Sequence, residues 1–163
     1  MPLPMHLNVL VADDDEGDRI LLVEAFKQMA WRAPFVVRDG HEVAEYLQGE
    51  GIYSDRTRFP LPDVLILDYW MPHLTGMDVL RWLRSESPFR TLPVVVRSSP
   101  LPPAQVIGLN KLNAAYGEKP IDCGETVEAI QRAVIEALSL AEEARKFAQA
   151  VTRSTAQTQK KSA

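Results

Sequence analysis

Short apolar runs alternate with longer amphipathic segments along most of this chain. Most of the short runs have no polar face, which predicts strands that are buried on both sides. The predicted strands cover residues 7–12, 34–38, 63–68, 92–99 and 114–120.

The segments between these strands have apolar residues three and four positions apart, a spacing that is typical of helices. Segment 49–62, "GEGIYSDRTRFPLP", is instead rich in glycine and proline, which predicts a loop. The predicted helices cover 16–31, a stretch from Gly40 through Leu47, a stretch capped by Thr75 and running through Leu83, an irregular proline-rich stretch to about Asn113, and a long helix from Asp122 or Thr126 to about Val151.

The chain has 163 residues, which is enough for one domain with a sizeable core. We expect that domain over residues 6–138, a helical extension over 139–152 and a polar, disordered tail over 153–163. Repeated strand–helix units predict a parallel sheet with helices on both faces and right-handed crossovers. The expected fold class is therefore α/β, a doubly wound five-stranded parallel sheet with an extended C-terminal helix.

Several polar residues follow the predicted strands at one edge of this sheet. Asp13 and Asp14 end the first strand, Asp68 ends the third, and Ser98 and Lys119 end the fourth and fifth. Ligands of doubly wound sheets bind outside the carboxyl ends of the strands. Each residue alone also suits an ordinary structural role, so the prediction of a site depends on their joint placement.

Carboxylates that share one edge of a sheet repel one another unless a cation lies among them. Oxygen ligands alone favour Mg²⁺, Mn²⁺ or Ca²⁺ over zinc, and Mg²⁺ leaves coordination positions open for phosphate oxygens. A neighbouring lysine and hydroxyl would hold the other oxygens of a phosphoryl group. One carboxylate would itself be the nucleophile, as in aspartyl-phosphate chemistry.

Net charge and cysteine content narrow the function classes. The net charge of −4 argues against a nucleic-acid surface, because no basic excess is present to neutralise phosphates. The single cysteine, Cys123, excludes an intrachain disulfide and favours a reducing compartment. No apolar run approaches the roughly 18 residues that a membrane span requires. We therefore expect a cytoplasmic protein without membrane contact.

Four stretches of the chain together resemble the receiver domain of two-component response regulators. They read "VLVADDDEGDR", "LILDYWMPHLTGMDVL", "LPVVVRSS" and "AAYGEKP". The most specific pattern is D-x-x-M-P-x-x-x-G, formed by Asp68, Met71, Pro72 and Gly76. The loop "GEGIYSDRTRFPLPD" resembles single-domain receivers that partner bacterial phytochromes. The resemblance implies a flavodoxin-like sheet with strand order 2-1-3-4-5.

The resemblance also implies the phosphoacceptor and the metal ligands. Asp68 would accept a phosphoryl group from the phosphohistidine of a sensor histidine kinase or a histidine phosphotransfer protein. Asp13 and Asp14 would bind Mg²⁺ together with Asp68 and the backbone carbonyl of Trp70. Such a domain catalyses only its own phosphorylation and dephosphorylation, and it signals by docking or by phosphorelay.

Two further roles follow from the resemblance. Lys119 and Ser98 would contact the phosphoryl oxygens, and Tyr116 would change rotamer together with Ser98. The chain also departs from the family pattern, since Arg97 stands where the fourth strand usually ends in an apolar residue. The proline-rich segment "PLPPAQVIGLNKLN" replaces a more regular fourth helix, which leaves signalling through that helix open.

Two other functions stay open at this point. Asp13-x-Asp15 after a strand matches the nucleophile motif of haloacid dehalogenase-like phosphatases, with Asp13 as nucleophile, although Asp15 also suits a helix N-cap. That alternative leaves the Asp68 motif unexplained. A pseudo-receiver, which is an interaction module without phosphorylation, is the second alternative.

The long final helix carries an apolar stripe that continues beyond residue 138. We expect the first half of the stripe to pack on the sheet and the second half to form a homodimer, whereas a solvated extension is the alternative. The stripe consists of Val127, Ile130, Val134, Ala137, Ala141, Ala144, Ala148 and Val151.

Overall fold

The computed structural model describes residues 6–85, 88–120 and 123–161. Its strands are β1 (Val9–Ala12), β2 (Phe35–Val37), β3 (Val64–Asp68), β4 (Val94–Ser98) and β5 (Ala114–Glu118). They form one parallel sheet in the order β2-β1-β3-β4-β5. The predicted α/β class and the predicted strand order are both confirmed.

Helices cover both faces of the sheet. The apolar side chains of α1 and α5 share one core, and those of α2, α3 and α4 share the other. The helices are α1 (Glu16–Gln28), α2 (Gly40–Gln48), α3 (Gly76–Ser85), α4 (Pro103–Lys111) and α5 (Cys123–Lys161). Short 3-10 helices, Gly51–Ser54 and Phe89–Thr91, precede β3 and β4.

Successive apolar residues of the inner strands β1, β3 and β4 contribute to opposite cores. In β1, Val9 and Val11 pack with α1 and α5, whereas Leu10 and Ala12 pack with the other three helices. Side chains alternate along a strand, so a strand covered on both faces must be apolar at every position. This requirement explains why the chain marks its strands as continuous apolar runs.

Side-chain caps set where three of the helices begin. Asp15 accepts a hydrogen bond from the Asp18 N–H at the start of α1, and Asp39 caps α2 in the same way. Thr75 caps α3 as predicted, because its Oγ1 accepts from the Asp78 N–H at 3.2 Å while Asp78 Oδ2 accepts from the Thr75 N–H at 3.0 Å. This reciprocal pair satisfies two backbone donors that a helix start would otherwise leave unpaired.

The fourth helix differs from the irregular stretch that the sequence predicted. α4 is a regular helix of nine residues, Pro103–Lys111, and its residue Leu109 is fully buried. Its prolines lie at the start, where a backbone N–H would have no helical acceptor, so the N–H that proline lacks is not missed, and where the fixed φ angle of proline suits the first turn. The prediction of irregularity was wrong because it read these prolines as interruptions.

Helix α5 begins at Cys123 and continues to Lys161, about ten residues beyond its expected end. The expected start at Asp122 lies outside the described residues. Alanine, glutamine, lysine and arginine recur in the segment that was expected to be a disordered tail, and all four favour helix. Over the described part of the chain, no helix is both long enough and apolar enough to cross a membrane.

Contacts between α5 and the rest of the domain extend further along the helix than the sequence indicated. Ala141 is buried, and Arg145 Nη2 donates a hydrogen bond to the Thr91 carbonyl at 3.3 Å. The contacts with the domain therefore pass residue 138. Side chains from Phe147 onward, as far as residue 153, are exposed.

Gly76 offers a test of how closely α3 approaches the end of β3. A Cβ atom at this position would lie 2.6 Å from the Asp68 carbonyl oxygen and 2.9 Å from Tyr69 Cα, and neither backbone atom can rotate away. We expect Gly76→Ala to lower the free energy of unfolding by about 1–3 kcal/mol, as for other overpacked sites. Urea denaturation followed by circular dichroism measures the change.

Gly108→Ala in α4 is the matched control. The added methyl group would meet only Met77 Cε, at 3.3 Å, and a methionine side chain moves easily. Alanine also favours helix by about 1 kcal/mol over glycine, so this variant should be at least as stable as wild type. Equal losses in the two variants would refute the steric explanation for Gly76.

Candidate functional site

Three charged residues that were predicted to meet at one edge do so. Asp68 is the last residue of β3, while Asp13 and Lys119 come directly after β1 and β5. Sheet hydrogen bonding continues past the two strand ends, because the Asp13 N–H donates to Val37 O at 3.2 Å and the Lys119 N–H to Ser98 O at 2.8 Å. The backbone therefore holds both residues in strand register. By strand alternation, all three lie on the sheet face covered by α1 and α5.

The ammonium of Lys119 lies at the centre of the site. Its Nζ is 3.1 Å from Asp13 Oδ2, 3.1 Å from Asp68 Oδ1 and 2.7 Å from Asp18 Oδ2. The contacts with Asp13 and Asp18 are hydrogen bonds. Asp68 Oδ1 is buried and has no hydrogen-bond partner among the described residues, so its contact with the lysine is an ion pair only.

The same edge has a group of oxygen donors that suits a divalent cation. Asp13, Asp14 and Asp68 each offer a carboxylate oxygen, and these oxygens lie within 4.8 Å of one another. Asp13 and Asp68 are buried, whereas Asp14 is open to solvent. An oxygen-only donor set with one solvent-facing side fits Mg²⁺, which keeps several of its waters. The unsatisfied Oδ1 of Asp68 is a further reason why the residues fit such an ion.

Burial makes the two inner carboxylates weaker acids than usual. Loss of hydration raises the pKa of Asp68 to about 6, and the negative charge of Asp13 adds to this rise. Lys119 and the backbone N–H of Trp70 oppose it. Burial also raises the pKa of Asp13, although the Lys119 charge again opposes the change. The site therefore favours added positive charge.

The site stabilises the charged form of the lysine, whereas it destabilises the charged form of the two buried carboxylates. Burial by itself would lower the pKa of Lys119, but the hydrogen bond to Asp18 and the charges of Asp13 and Asp68 outweigh it and raise the pKa. Lys119 is therefore a permanent cation at neutral pH, able to hold an anionic ligand.

Arg97 is a second cation on the same face of the sheet. The register pairs it with Asp68, and its side chain is buried. Burial lowers the pKa of Arg97, whereas the charges of Asp13, Asp18 and Asp68 raise it. Its Nη1 has no hydrogen-bond partner among the described residues. The departure from an apolar residue at this position thus adds positive charge beside the acidic cluster.

Ser98 and Tyr116 lie on the other side of the sheet. Ser98 is fully buried, and its hydroxyl donates to the Ser99 carbonyl. The Tyr116 hydroxyl donates to the same carbonyl at 3.4 Å and accepts from the Leu101 N–H at 3.3 Å. These two residues therefore contact the segment between β4 and α4, and their described hydrogen bonds do not reach Asp68.

Trp70 follows Asp68 by two positions and is mainly exposed. Its ring packs edge-on against Tyr69, with 4.9 Å between the ring centroids, and 56% of the residue is accessible. The indole is therefore open to solvent just beyond the end of β3.

The sequence interpretation did not assign Asp18 to the site. Its position in the first turn of α1 suggested only a favourable helix-end charge. The structure brings its carboxylate closer to Lys119 than either buried aspartate. Spacing offered one clue, because the first turn of a helix that directly follows β1 must stand beside the strand end.

A model of the response regulator receiver domain family matches residues 9–131, well over half of the chain. The chain belongs to this family. The sequence resemblance to receivers is thereby confirmed, and the matched region contains Asp13, Asp14, Asp68 and Lys119.

Solved structures of other receivers are similar to this one. The response regulator RPA3017 in red light signaling of R. palustris is 32% identical, with a TM-score of 0.71, covering 77% of this chain and 90% of that one. The bacteriophytochrome response regulator RtBRR is 30% identical, with a TM-score of 0.66, covering 82% of this chain and 78% of that one. These similarities agree with the loop "GEGIYSDRTRFPLPD", which had pointed to this group of receivers.

Plant response regulators are also similar to this chain. The two-component response regulator ORR11 of Oryza sativa is 30% identical over 103 residues, which are 63% of this chain and 62% of ORR11. The receiver thus spans less than two thirds of the length of this relative.

The raised pKa of Asp68 predicts that its charge destabilises the metal-free receiver. The folded state binds the proton more tightly than the unfolded state, so stability decreases as the pH rises from about 4 through about 6. At pH 7.5 without metal, Asp68→Asn should be more stable than wild type by about 1–3 kcal/mol. The difference should shrink towards pH 4, and urea denaturation at the two pH values measures it.

Asp78→Asn is the control with the opposite sign. Hydrogen bonds from Thr75 lower the pKa of Asp78, so its charge stabilises the fold at pH 7.5. This variant should be less stable than wild type at that pH. If Asp68→Asn were also less stable, burial of the Asp68 charge would not be the dominant effect.

Proposed function

We propose that this receiver accepts a phosphoryl group on Asp68 in a Mg²⁺-dependent reaction. The donor would be the phosphohistidine of a sensor histidine kinase or a histidine phosphotransfer protein. The phosphorylated receiver would then signal by docking to a target or by passing the phosphoryl group onward. The cytoplasmic location expected from the sequence stays a prediction.

The observation that supports this proposal most strongly is the environment of Asp68. Its carboxylate is buried at the end of a central strand, 3.1 Å from a permanent cation and inside a group of oxygens that fits Mg²⁺. Its Oδ1 has the ion pair with Lys119 but no hydrogen-bond partner among the described residues, and it is available to act as the nucleophile. Among the described carboxylates, Asp68 alone combines these properties.

The proposed phosphoryl transfer replaces one bond at phosphorus with another. An Asp68 oxygen attacks the phosphorus atom and forms a P–O bond while the P–N bond to imidazole breaks. The bonding electron pair leaves with the imidazole, which takes up a proton. Mg²⁺ would supply positive charge to the transferred oxygens when bound by Asp13, Asp14, Asp68 and the carbonyl of Trp70. Lys119 would stabilise the remaining oxygens.

Ser98 and Tyr116 would report the modification to the other face. An aspartyl phosphate carries roughly −1.5 to −2 charges in place of the single negative charge of the carboxylate, which favours any nearby donor that can reach it. Ser98 would exchange the Ser99 carbonyl for a phosphoryl oxygen. Tyr116 would lose Ser98 as the neighbour with which it shares the Ser99 carbonyl, and it would change rotamer. The β4–α4 segment would move with it.

The likeness to RPA3017 and RtBRR supports a bacteriophytochrome-type kinase as the donor. The phosphatase alternative has less support, because Asp15 is engaged as the N-cap of α1 and the chain belongs to the receiver family. The pseudo-receiver alternative leaves the complete acidic group without a role.

Acetyl phosphate labelling tests the assignment of the nucleophile. With Mg²⁺ present, we expect one phosphoryl group per chain on Asp68, located by mass spectrometry after borohydride reduction. Asp68→Asn should abolish labelling, and chelation of the metal should slow it at least tenfold without unfolding the protein.

The control for this experiment lies at the opposite end of the same strand. Asp63 precedes β3, where its carboxylate accepts a hydrogen bond from the Asn8 N–H. Asp63→Asn should therefore be labelled like wild type. A phosphoryl group found on Asp13 would overturn the proposal and favour the phosphatase alternative.

We further propose that the projecting part of α5 forms a homodimer. The helix has 39 residues and is about 58 Å long, and its side chains over residues 147–153 are exposed. Phe147 and Val151, one turn apart on the same face, are 73% and 49% exposed. Charges of both signs, such as Glu142 and Lys146, accompany this face and suit pairing with a second copy of the helix.

Truncation after Lys146 tests the dimer without disturbing Ala141 and Arg145, which contact the domain. The truncated chain and Phe147→Ser should both sediment as monomers at concentrations where wild type is a dimer. Ile20→Ser, which removes an exposed apolar residue from α1, should remain dimeric. A dimeric truncated chain would exclude the end of α5 as the contact.

A further inference from the structure

Asp18 is held in place beside the acidic group by contacts that leave its carboxylate free for Lys119. Its backbone N–H donates to Asp15 Oδ1 at 2.8 Å, so the helix cap does not use its side chain. The next residue, Arg19, donates from Nη1 to the Asp13 carbonyl at 2.8 Å. This second contact ties the first turn of α1 to the end of β1, which fixes the distance between Asp18 and the site.

The three carboxylates around Lys119 differ in one respect. Asp13 and Asp68 belong to the group of oxygens that fits a divalent cation, whereas Asp18 does not. The ammonium and a metal ion therefore compete for the same two carboxylates. Among the described partners of Lys119, Asp18 is the one that a metal ion would leave available.

The distances indicate how this competition is biased. Nζ is 2.7 Å from Asp18 and 3.1 Å from each of the two metal-group aspartates, so the ammonium is drawn towards α1. Asp18 is also the most exposed of the three, with 32% of its side chain accessible. It can therefore hold the lysine at a lower desolvation cost than a buried carboxylate would require.

We propose that Asp18 is a positioning residue that holds Lys119 to one side and keeps the oxygens of Asp13 and Asp68 available to a divalent cation. The proposal rests on the Mg²⁺-dependent function proposed above. Without Asp18, the ammonium would have Asp13 and Asp68 as its remaining ion-pair partners and would occupy the place of the metal. Asp18 would thus act on the metal through the lysine.

A double-mutant cycle measured by calorimetric Mg²⁺ titration tests this indirect action. We expect Asp18→Asn to weaken Mg²⁺ binding about tenfold, a coupling within the range found between contacting charged groups. Lys119→Met should bind Mg²⁺ more tightly than wild type, because the competitor is gone. In that background, Asp18→Asn should change the affinity by less than about twofold. Asp18→Glu should restore most of the affinity.

Glu16→Gln controls for the general loss of one negative charge, because Glu16 is an exposed acidic residue in the same helical turn. It should bind Mg²⁺ like wild type in 0.15 M salt, where distant charges are screened. An Asp18→Asn effect of equal size with and without Lys119 would overturn the proposal, as would wild-type affinity in Asp18→Asn. Failure of wild type itself to bind Mg²⁺ would instead refute the proposed function.

Discussion

The ion pairs of Lys119 hold together an arrangement that would otherwise repel itself. Parallel strands deliver their carboxyl ends to one edge of the sheet, and here that edge receives the buried carboxylates of Asp13 and Asp68. Two such charges in a poorly hydrated place are costly unless positive charge compensates them. The Nζ atom of Lys119 contacts both aspartates and a third carboxylate on α1. This one nitrogen therefore links the ends of β1, β3 and β5 to the start of α1.

Lys119 compensates the buried negative charge only in part, and the part that is left uncompensated gives the site its chemistry. Asp68 keeps an oxygen without a hydrogen bond and a raised pKa, even with Lys119 in contact and Arg97 beside it. A protein selected for stability alone would have no reason to retain such a group. In the proposed function, a divalent cation would bring positive charge to this arrangement, and a phosphoryl group would give the lysine a new anionic partner.

The sheet separates the site from the residues that would transmit its state. Asp68 and Arg97 face α1 and α5, whereas Ser98 and Tyr116 face the core beneath α4. The end of β4 connects the two sides, because Arg97 and Ser98 are adjacent residues with side chains on opposite faces. A change at Asp68 can therefore reach α4 through one strand end.

The resemblance to receivers implied the order of the strands, whereas the sequence by itself determined the strands and the edge at which the acidic residues meet. These features follow from local rules, since a buried parallel strand is apolar throughout and strand ends collect at one side. The tertiary structure alone decided that Asp18 binds Lys119 and that Ala141 is buried against the domain. Each of these depends on how far a helix or strand end stands from its neighbour. That distance results from packing across elements far apart in the chain, which no local pattern of residues encodes.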